Sequence, residues 1–471
     1  MRPPRPARRL RLRGVTGGFD PYELSLTATA AVAAASCALP GLWLVLRRLS
    51  MMGDAMSHSA LLGVVGSLVA VNTAAAAGWV APGRLEAAED AALLVGSVAV
   101  GVLTSFLTET LRTSARVEPG AALGVVFSSL FAGGLFLVRW AADSAHIDAD
   151  CVLFGSLEME VVRRGWLGLP RPLLLNAVAL AVNAAAVALC FKELRLASFD
   201  PDYARTQGLP SGLVHYGLMT AVSLTVVAAF TTVGSILVIG LLVVPAATAL
   251  LLSRTLKEAV IWTLAAALLS AALSRLLCRT LPSLAFGGWG VSDSSTAGMM
   301  AVAGGGLFTL AWLFSPRGGV VVRTARQVAS AVRSEADQLL GILYRLEERG
   351  VRPTRSEVRK YADDRFAGRP LVGRLAISRL RREGLVLMDG REWRLTEPGR
   401  RRASRLIRGH RLLEAYLGRH FALPEDHLHE ATRPLERFLD PDLRERLAED
   451  LDRPSEDPHG RAIPEPPPPG S

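Results

Sequence analysis

Long apolar runs dominate the front of the chain, and amphipathic segments replace them afterwards. Nine runs have about the length that a helix needs to cross a bilayer: residues 24–46, 56–80, 91–111, 120–140, 172–191, 212–230, 234–252, 260–278 and 296–314. The second run opens with polar residues, and the seventh carries Pro245 in its middle. We therefore expect one of these two to be broken or re-entrant. The pattern predicts an all-α polytopic membrane bundle with about eight crossings.

The apolar runs end at Pro316, and the pattern beyond it predicts a water-soluble region. Leucines at helical spacing follow a capping sequence at residues 334–337 and stop at Gly350, which predicts a helix. Two more helices fit residues 356–361 and 371–382, and an Asp-Gly turn within 385–395 predicts two short strands. Together these describe a small α+β winged helix-turn-helix. Helices over 400–417 and 424–449 would follow it.

These patterns predict six segments along the chain. They are a basic arm over 1–23, a transmembrane domain over 24–316, a linker over 317–333, a winged helix-turn-helix over 334–403, a helical domain over 404–458, and a Pro-rich disordered tail over 459–471.

Charge refines this picture. The chain has 53 Lys and Arg against 43 Asp and Glu, a formal net charge of +10, although half of its residues are hydrophobic. Both the arm, with its arginines at residues 2–13, and the Arg-rich tail favour the cytoplasm by the positive-inside rule. We therefore expect a multi-pass protein of the cell membrane with both termini cytoplasmic. A basic soluble region also permits contact with nucleic acid.

Several classes of chemistry are disfavoured by the sequence. The four cysteines have no CxxC spacing, which argues against a disulfide framework or a thiolate metal site. No GxxxxGK[ST] phosphate loop occurs, so we expect ATP to be hydrolysed by a separate subunit. We find no combination of nucleophile, base and oxyanion donors, and we expect neither an enzyme nor a bound organic cofactor.

Asp54 and His58 are the most informative ionisable residues in the apolar part. They stand four residues apart, which places them on one face of a helix. A carboxylate and an imidazole at that spacing can share a divalent transition metal, and manganese, zinc and iron suit such ligands alike. On spacing alone, a helix cap with a packing histidine is an equally good interpretation.

The motif GDAMSHS at residues 53–59 resembles the hallmark of the permease subunits of metal-type ABC transporters, which import zinc, manganese or iron. The resemblance continues, in order, through residues 121–128, 148–155, 192–200, 233–237 and 245–249. It implies that Asp54 and His58 lie on the metal path. It also implies an ATPase subunit, an extracytoplasmic metal-binding protein and a second permease copy or sister permease as partners.

The same resemblance makes the polar loop at residues 192–210 the segment that couples to the ATPase. The residues concerned are Phe199, Asp200, Tyr203, Ala204 and Gly208. An ordinary cytoplasmic loop is the alternative interpretation.

The tail resembles the metal-dependent repressors of the diphtheria toxin repressor class, in LYRLEERG at 343–350, EGLV at 383–386, LTEPG at 395–399 and HRLLE at 410–414. This implies a metal-binding and dimerisation role for the helical domain over 404–458, and DNA contacts from Arg369, Arg374, Arg379 and Arg382. Three ancillary metal ligands match His410, Glu414 and His429, and one main-site ligand matches Glu436. Other main-site positions hold Gln338, Arg433 and Arg437, so we expect the usual metal switch to be lost. Capping and pairing in a dimer interface is the alternative role.

Two functions remain open for the tail. It could sense cytoplasmic metal, as an effector ion, and damp transport, or it could bind operator DNA as a tethered regulator. For the whole chain, the alternative to a metal permease is a membrane-anchored, metal-responsive transcriptional regulator whose bundle no longer transports.

Overall fold

A computed structural model describes residues 21–79, 85–141, 157–162, 168–286, 295–354, 356–358, 360, 370–389, 392–421 and 439–465. The chain divides into two compact units, Met1–Val322 and Arg323–Ser471. Residues 1–20 of the basic arm and residues 466–471 of the Pro-rich tail lie outside the described residues.

The first unit is helical throughout its described part. Its elements are α1 (Pro21–Leu46), α2 (Ser50–Ala76), α3 (Leu85–Ser114), α4 (Pro119–Ala141), α5 (Leu157–Glu160), α6 (Arg171–Leu189), α7 (Phe191–Phe199), α8 (Pro201–Thr206), α9 (Ser211–Val233), α10 (Ser235–Leu252), α11 (Leu256–Phe286) and α12 (Thr296–Phe314). Eight of the described helices are long and apolar enough to span a bilayer, as predicted, and α10 is a shorter apolar helix.

Small residues bring the helix backbones of this unit into contact. The middle of α1 is lined by buried alanines and Cys37, and α1 is the most enclosed helix of the eight. A Cβ atom added to Gly41 would lie 2.0 Å from the carbonyl oxygen of Leu242 in α10. Similarly, a Cβ atom on Gly63 of α2 would lie 2.6 Å from the backbone of α3 at Gly96 and Ser97. Close packing of this kind is how helices associate where lipid replaces water.

Buried asparagines add hydrogen bonds between three of these helices. Asn176 of α6 donates through Nδ2 to the Thr232 hydroxyl of α9 at 3.0 Å, and its Oδ1 accepts from Ser36 of α1 at 3.3 Å. Asn183, two turns further along α6, donates to Thr225 at 2.7 Å. Because these polar groups are fully enclosed, their bonds fix how α1, α6 and α9 pack together.

Contacts identify two ends of the bundle. At the first end, Glu23 of α1 accepts from Arg275 of α11, Arg275 donates to Thr296, and the Thr296 amide donates to Glu158. At the second end, Trp43 of α1 packs on Phe191 of α7, and the Ser315 hydroxyl donates to the carbonyl of Leu251 in α10. Since α1 and α12 each run from the first end to the second, residue 21 and residue 315 lie at opposite ends.

The side of the membrane on which each terminus lies stays a prediction, because residues 1–20 lie outside the described residues. One of the two segments that we expected to be broken or re-entrant is the continuous helix α10, which is unbroken despite Pro245 and whose Leu251 lies at the second end. It starts after Gly234, whose φ of 82° ends α9 and is a conformation that favours glycine. The other suspect segment, 56–80, belongs to the continuous helix α2.

The predicted loop at residues 192–210 is mostly helical, which is a second correction. Its polar sequence hides two short helices, because Asp200 ends α7 and caps α8 by accepting from the backbone N–H of Tyr203 at 2.9 Å. Pro201 then occupies the first position of α8, where a missing N–H costs nothing. Cys190, at the junction of α6 and α7, is a free and exposed thiol.

The second unit contains α13 (Val320–Glu348), α14 (Pro370–Arg382), β1 (Val386–Asp389), β2 (Glu392–Leu395), α15 (Glu397–His420) and α16 (Pro441–Asp450). Residues 356–358 and 360 are also helical. The strands pair antiparallel with Val386 opposite Leu395, and Thr354 bridges to Glu392. Leu340, Leu343, Ala376 and Trp393 lie in the core between these elements. This is the predicted winged helix-turn-helix followed by helices.

Two boundaries in this unit differ from the predictions. The helix expected from Ser334 begins at Val320, so most of the predicted linker over 317–333 is helical. Of the helix expected over 424–449, the described residues are helical from Pro441, because Asp440 caps α16 through the Leu443 amide and Pro441 cannot donate to a preceding turn. Residues 422–438 lie outside the described residues.

Candidate functional site

The Asp54 and His58 side chains meet on α2, as their spacing predicts. His58 Nε2 lies 3.4 Å from Asp54 Oδ1, and the two side chains are 23% and 35% exposed. Both lie within the first turns of α2, near the second end of the bundle. This partial exposure leaves an imidazole nitrogen and a carboxylate open to a third partner, which is the arrangement a transient metal ligand requires.

Aromatic rings of α4 hold His58 in place. The His58 ring lies 5.6 Å from the Phe127 ring and 5.7 Å from the Phe131 ring, and these two phenylalanines stack on one another at 6.1 Å. The backbone carbonyl of Asp54 is engaged by the Ser57 hydroxyl at 2.9 Å. Because these rings restrict the imidazole, a further partner can reach it only from the open side of α2.

Two of the residues predicted to couple to an ATPase are exposed aromatic side chains near the second end. Phe199 is 66% exposed and Tyr203 is 51% exposed, although both are large aromatic side chains. Ala204 is fully buried and anchors α8, and Gly208 ends the segment with a φ of 77°. Exposed aromatics on anchored helices are typical of a protein interface.

The tail brings together two of its four predicted metal ligands. His410 Nε2 lies 3.1 Å from Glu414 Oε1 on α15, and both residues are buried. His429 and Glu436 lie outside the described residues. In the part of the chain that the structure describes, no group of three or more His, Cys, Asp or Glu side chains could hold a metal ion.

The predicted DNA-contacting arginines differ in their surroundings. Arg374 and Arg382 are exposed on α14. Arg379 pairs with Glu383 at 2.7 Å, so its charge is already engaged. Arg369 precedes α14 and lies outside the described residues.

Sequence reasoning missed several polar and charged contacts, some in the first unit and one in the second. They are the Glu23 pairs with Arg275 and Arg279, the contact of Ser105 with His215 at 3.3 Å, and Arg411, which forms a bidentate pair with Glu348 in the tail. The sequence did contain a signal for the contacts in the bundle, because ionisable residues within apolar segments mark functional or structural contacts.

Two family models match the chain. The model described as ABC 3 transport family matches residues 22–302, and the model described as iron dependent repressor, metal binding and dimerisation domain matches residues 396–465.

Individual proteins agree with these matches. Over 309 residues the chain is 34% identical to the manganese transport system membrane protein MntD of Bacillus subtilis, covering 65% of this chain and 96% of that protein. Over 299 residues it is 37% identical to the zinc transport system membrane protein TroD of Treponema pallidum, covering 62% and 74%. The solved structure of PsaBC from Streptococcus pneumoniae in complex with Fab has a TM-score of 0.50 and 22% identity, covering 64% and 94% of the two chains, and this likeness concerns the fold alone.

Proposed function

The chain belongs to the ABC 3 transport family, and from this we infer that its bundle is the permease of an importer for a divalent transition metal. Relatives named for manganese and zinc transport support these ions as substrates, and iron suits the same ligands. The absence of a phosphate-loop motif in the sequence supports a separate ATPase subunit as the motor.

The observation that carries this proposal is the Asp54–His58 pair. We assign both residues to the metal path, as ligands weak enough to release the ion. Two ligands from one chain leave a metal under-coordinated, since four is the usual minimum for zinc. A second permease copy, related by a two-fold axis, would supply an identical pair to the same ion. The half-exposed position of the pair is consistent with such a site between two copies.

The second end of the bundle faces the cytoplasm in this proposal. The positive-inside rule supports it, because basic residues of the described segments concentrate there: Arg47, Arg48, Arg112, Arg116, Lys192, Arg195, Arg205, Arg254, Lys257 and Arg317. The α7–α8 segment then meets the ATPase, with Phe199 and Tyr203 as its exposed anchors. Residue 21 accordingly lies on the extracytoplasmic side, where a metal-binding protein would deliver the ion.

For the tail, we propose a sensor that responds to the transported metal. His410 and Glu414 are the supporting pair, and His429 and Glu436 are the candidate remaining ligands. Operator DNA is the other candidate partner, with Arg374 and Arg382 as the exposed contacts and Arg369 beside them in sequence. Engagement of Arg379 by Glu383 favours the sensor, because a paired arginine offers less to a phosphate.

Uptake of radioactive manganese by cells that depend on this importer tests the permease. Asp54→Asn combined with His58→Gln should reduce uptake at least tenfold at equal expression, because both ligands are lost while side-chain size is kept. Asp452→Asn with His459→Gln makes the same changes at exposed tail positions and should leave uptake unchanged. Normal uptake by the first variant would remove the pair from the mechanism.

The tail needs a separate measurement. Binding of the full chain to upstream DNA, with and without manganese, should be weak and independent of sequence if the tail is a sensor. Tight, sequence-specific binding that requires manganese would instead favour the tethered regulator.

A further inference from the structure

The contact between the end of α1 and the start of α7 joins the two regions that the proposed function needs to connect. Trp43, fully buried in the last turn of α1, packs edge to face on Phe191, with ring centroids 6.0 Å apart. Phe191 is the first residue of α7, within the segment we assign to the ATPase. Three residues after α1 ends, α2 begins, and it carries Asp54 in its second turn.

One continuous apolar cluster spans this region. It includes Trp43 and Leu44 of α1, Leu194 of α7, and Met52 and Met56 of α2, with Phe191 packed against it. Met52 and Met56 flank Asp54 in sequence. The short connection is itself tight, because the Leu49 amide donates to the Leu44 carbonyl at 2.8 Å. A displacement of α7 therefore cannot be absorbed by a loose loop before it reaches α2.

Buried polar atoms without partners concentrate at the same place. Trp43 Nε1, one terminal nitrogen of Arg47 and Glu193 Oε2 are enclosed and make no hydrogen bond within the described residues. Only a handful of such atoms occur in the described chain. An enclosed donor or acceptor without a partner destabilises the fold, so natural proteins rarely keep one without a reason.

The surroundings of Arg47 point in the same direction. Burial lowers the pKa of the Arg47 guanidinium, against the attraction of the Glu109 carboxylate on α3. The Arg47 guanidinium is held away from water, and one of its nitrogens lacks a hydrogen-bond partner. Burying a charge in this way raises the free energy of the arrangement.

We propose that the junction of Trp43 and Phe191 is the contact through which movement of the ATPase-facing segment reaches the helix that carries Asp54 and His58. Trp43 and Phe191 are positioning residues, since neither touches the ion. The inference rests on the proposed function, because it requires an ATPase-driven permease.

The test compares transport with ATP hydrolysis in the intact complex. The full chain, purified with its ATPase partner and placed in lipid vesicles, is assayed for ATP hydrolysis and for uptake of radioactive manganese. Phe191→Leu keeps an apolar side chain and removes the ring contact, and Trp43→Leu does the same from the other side. Trp79→Leu is the matched control, because Trp79 is 85% exposed at the end of α2.

Phe191→Leu should lower the ions moved per ATP at least fivefold while hydrolysis stays within twofold of the wild type. Combining it with Trp43→Leu should add little, since both remove one contact. If Phe191→Leu moves as many ions per ATP as the Trp79→Leu control, the proposal is wrong. A proportional loss of both activities would also overturn it, because the contact would then be merely structural. Wild-type vesicles that hydrolyse ATP without moving any metal would instead refute the proposed function itself.

Discussion

Gly41→Ala is the most direct perturbation of the bundle. The new Cβ atom would lie 2.0 Å from the Leu242 carbonyl oxygen, 2.7 Å from its carbon and 2.9 Å from its Cα. Real Cβ atoms essentially never come within 3.0 Å of another heavy atom. The backbones of α1 and α10 must therefore separate by about 1 Å where they cross, and both are closely packed on other helices. Overpacking of this kind typically costs about 1–3 kcal/mol.

A control on the facing helix isolates that cost. Gly240→Ala makes the same change in α10, where a Cβ atom meets nothing within 4 Å. Both substitutions gain roughly 0.8–1 kcal/mol of helix propensity, so the difference between the two variants reports the steric term alone.

Thermal unfolding of the detergent-solubilised full chain provides the measurement. At about 2 °C per kcal/mol for a domain of this size, Gly41→Ala should melt roughly 2–6 °C below Gly240→Ala. Because membrane proteins often unfold irreversibly, the two must be compared at one heating rate. Equal midpoints would refute the backbone contact between α1 and α10.

Three further predictions follow from other contacts. Arg411→Ala removes the cation from Glu348 and Asp457 and should lower the free energy of unfolding by about 3–5 kcal/mol, which would be measured as faster amide exchange in α15. Arg419→Ala, at the exposed pair with Asp452, is the control and should lower it by at most about 1 kcal/mol. Hydrogen bonds from the Thr354 amide and hydroxyl lower the pKa of Glu357. The ionised carboxylate therefore stabilises the helix from residue 356 at neutral pH, and this stabilisation is lost as pH falls through the lowered pKa. Exchange in residues 356–358 should therefore differ between wild type and Glu357→Gln at pH 7 and converge in acid. Alkaline phosphatase fused ahead of residue 21 should be active and a fusion after Ser315 inactive; the reverse result, or equal activity, would contradict the proposed orientation.

The apolar runs predicted the bundle well because a bilayer imposes length and composition on every span. They predicted nine segments, and a described helix occupies each one. The sides on which the two termini lie were harder to predict, because they depend on whether the number of membrane crossings is odd or even. That number changes if a short helix such as α10 also crosses. Hydropathy does not record that, and the contacts of Glu23 and Ser315 show only that residues 21 and 315 lie at opposite ends of the described helices of the first unit.

Polar segments were the weaker part of the prediction. The run at residues 192–210 looked like a loop because nothing apolar repeats strongly there, yet Asp200 and Pro201 end one helix and start the next. The start of α13 was missed because a strongly amphipathic helix needs no capping residue at Ser334. The Asp54–His58 pair was found because two residues four apart on a helix must be neighbours. No local pattern could have found Trp43 with Phe191, whose contact depends on the packing of distant segments.

Cys190 offers a way to watch the bundle at work. Its thiol is exposed and stands directly before Phe191, whereas Cys37 and Cys278 are buried. With Cys151, which lies outside the described residues, replaced by serine, a maleimide dye or spin label should react selectively at Cys190. The native chain thus carries its own attachment point for spectroscopy, and a reporter placed there would follow the start of α7 in real time without an engineered cysteine.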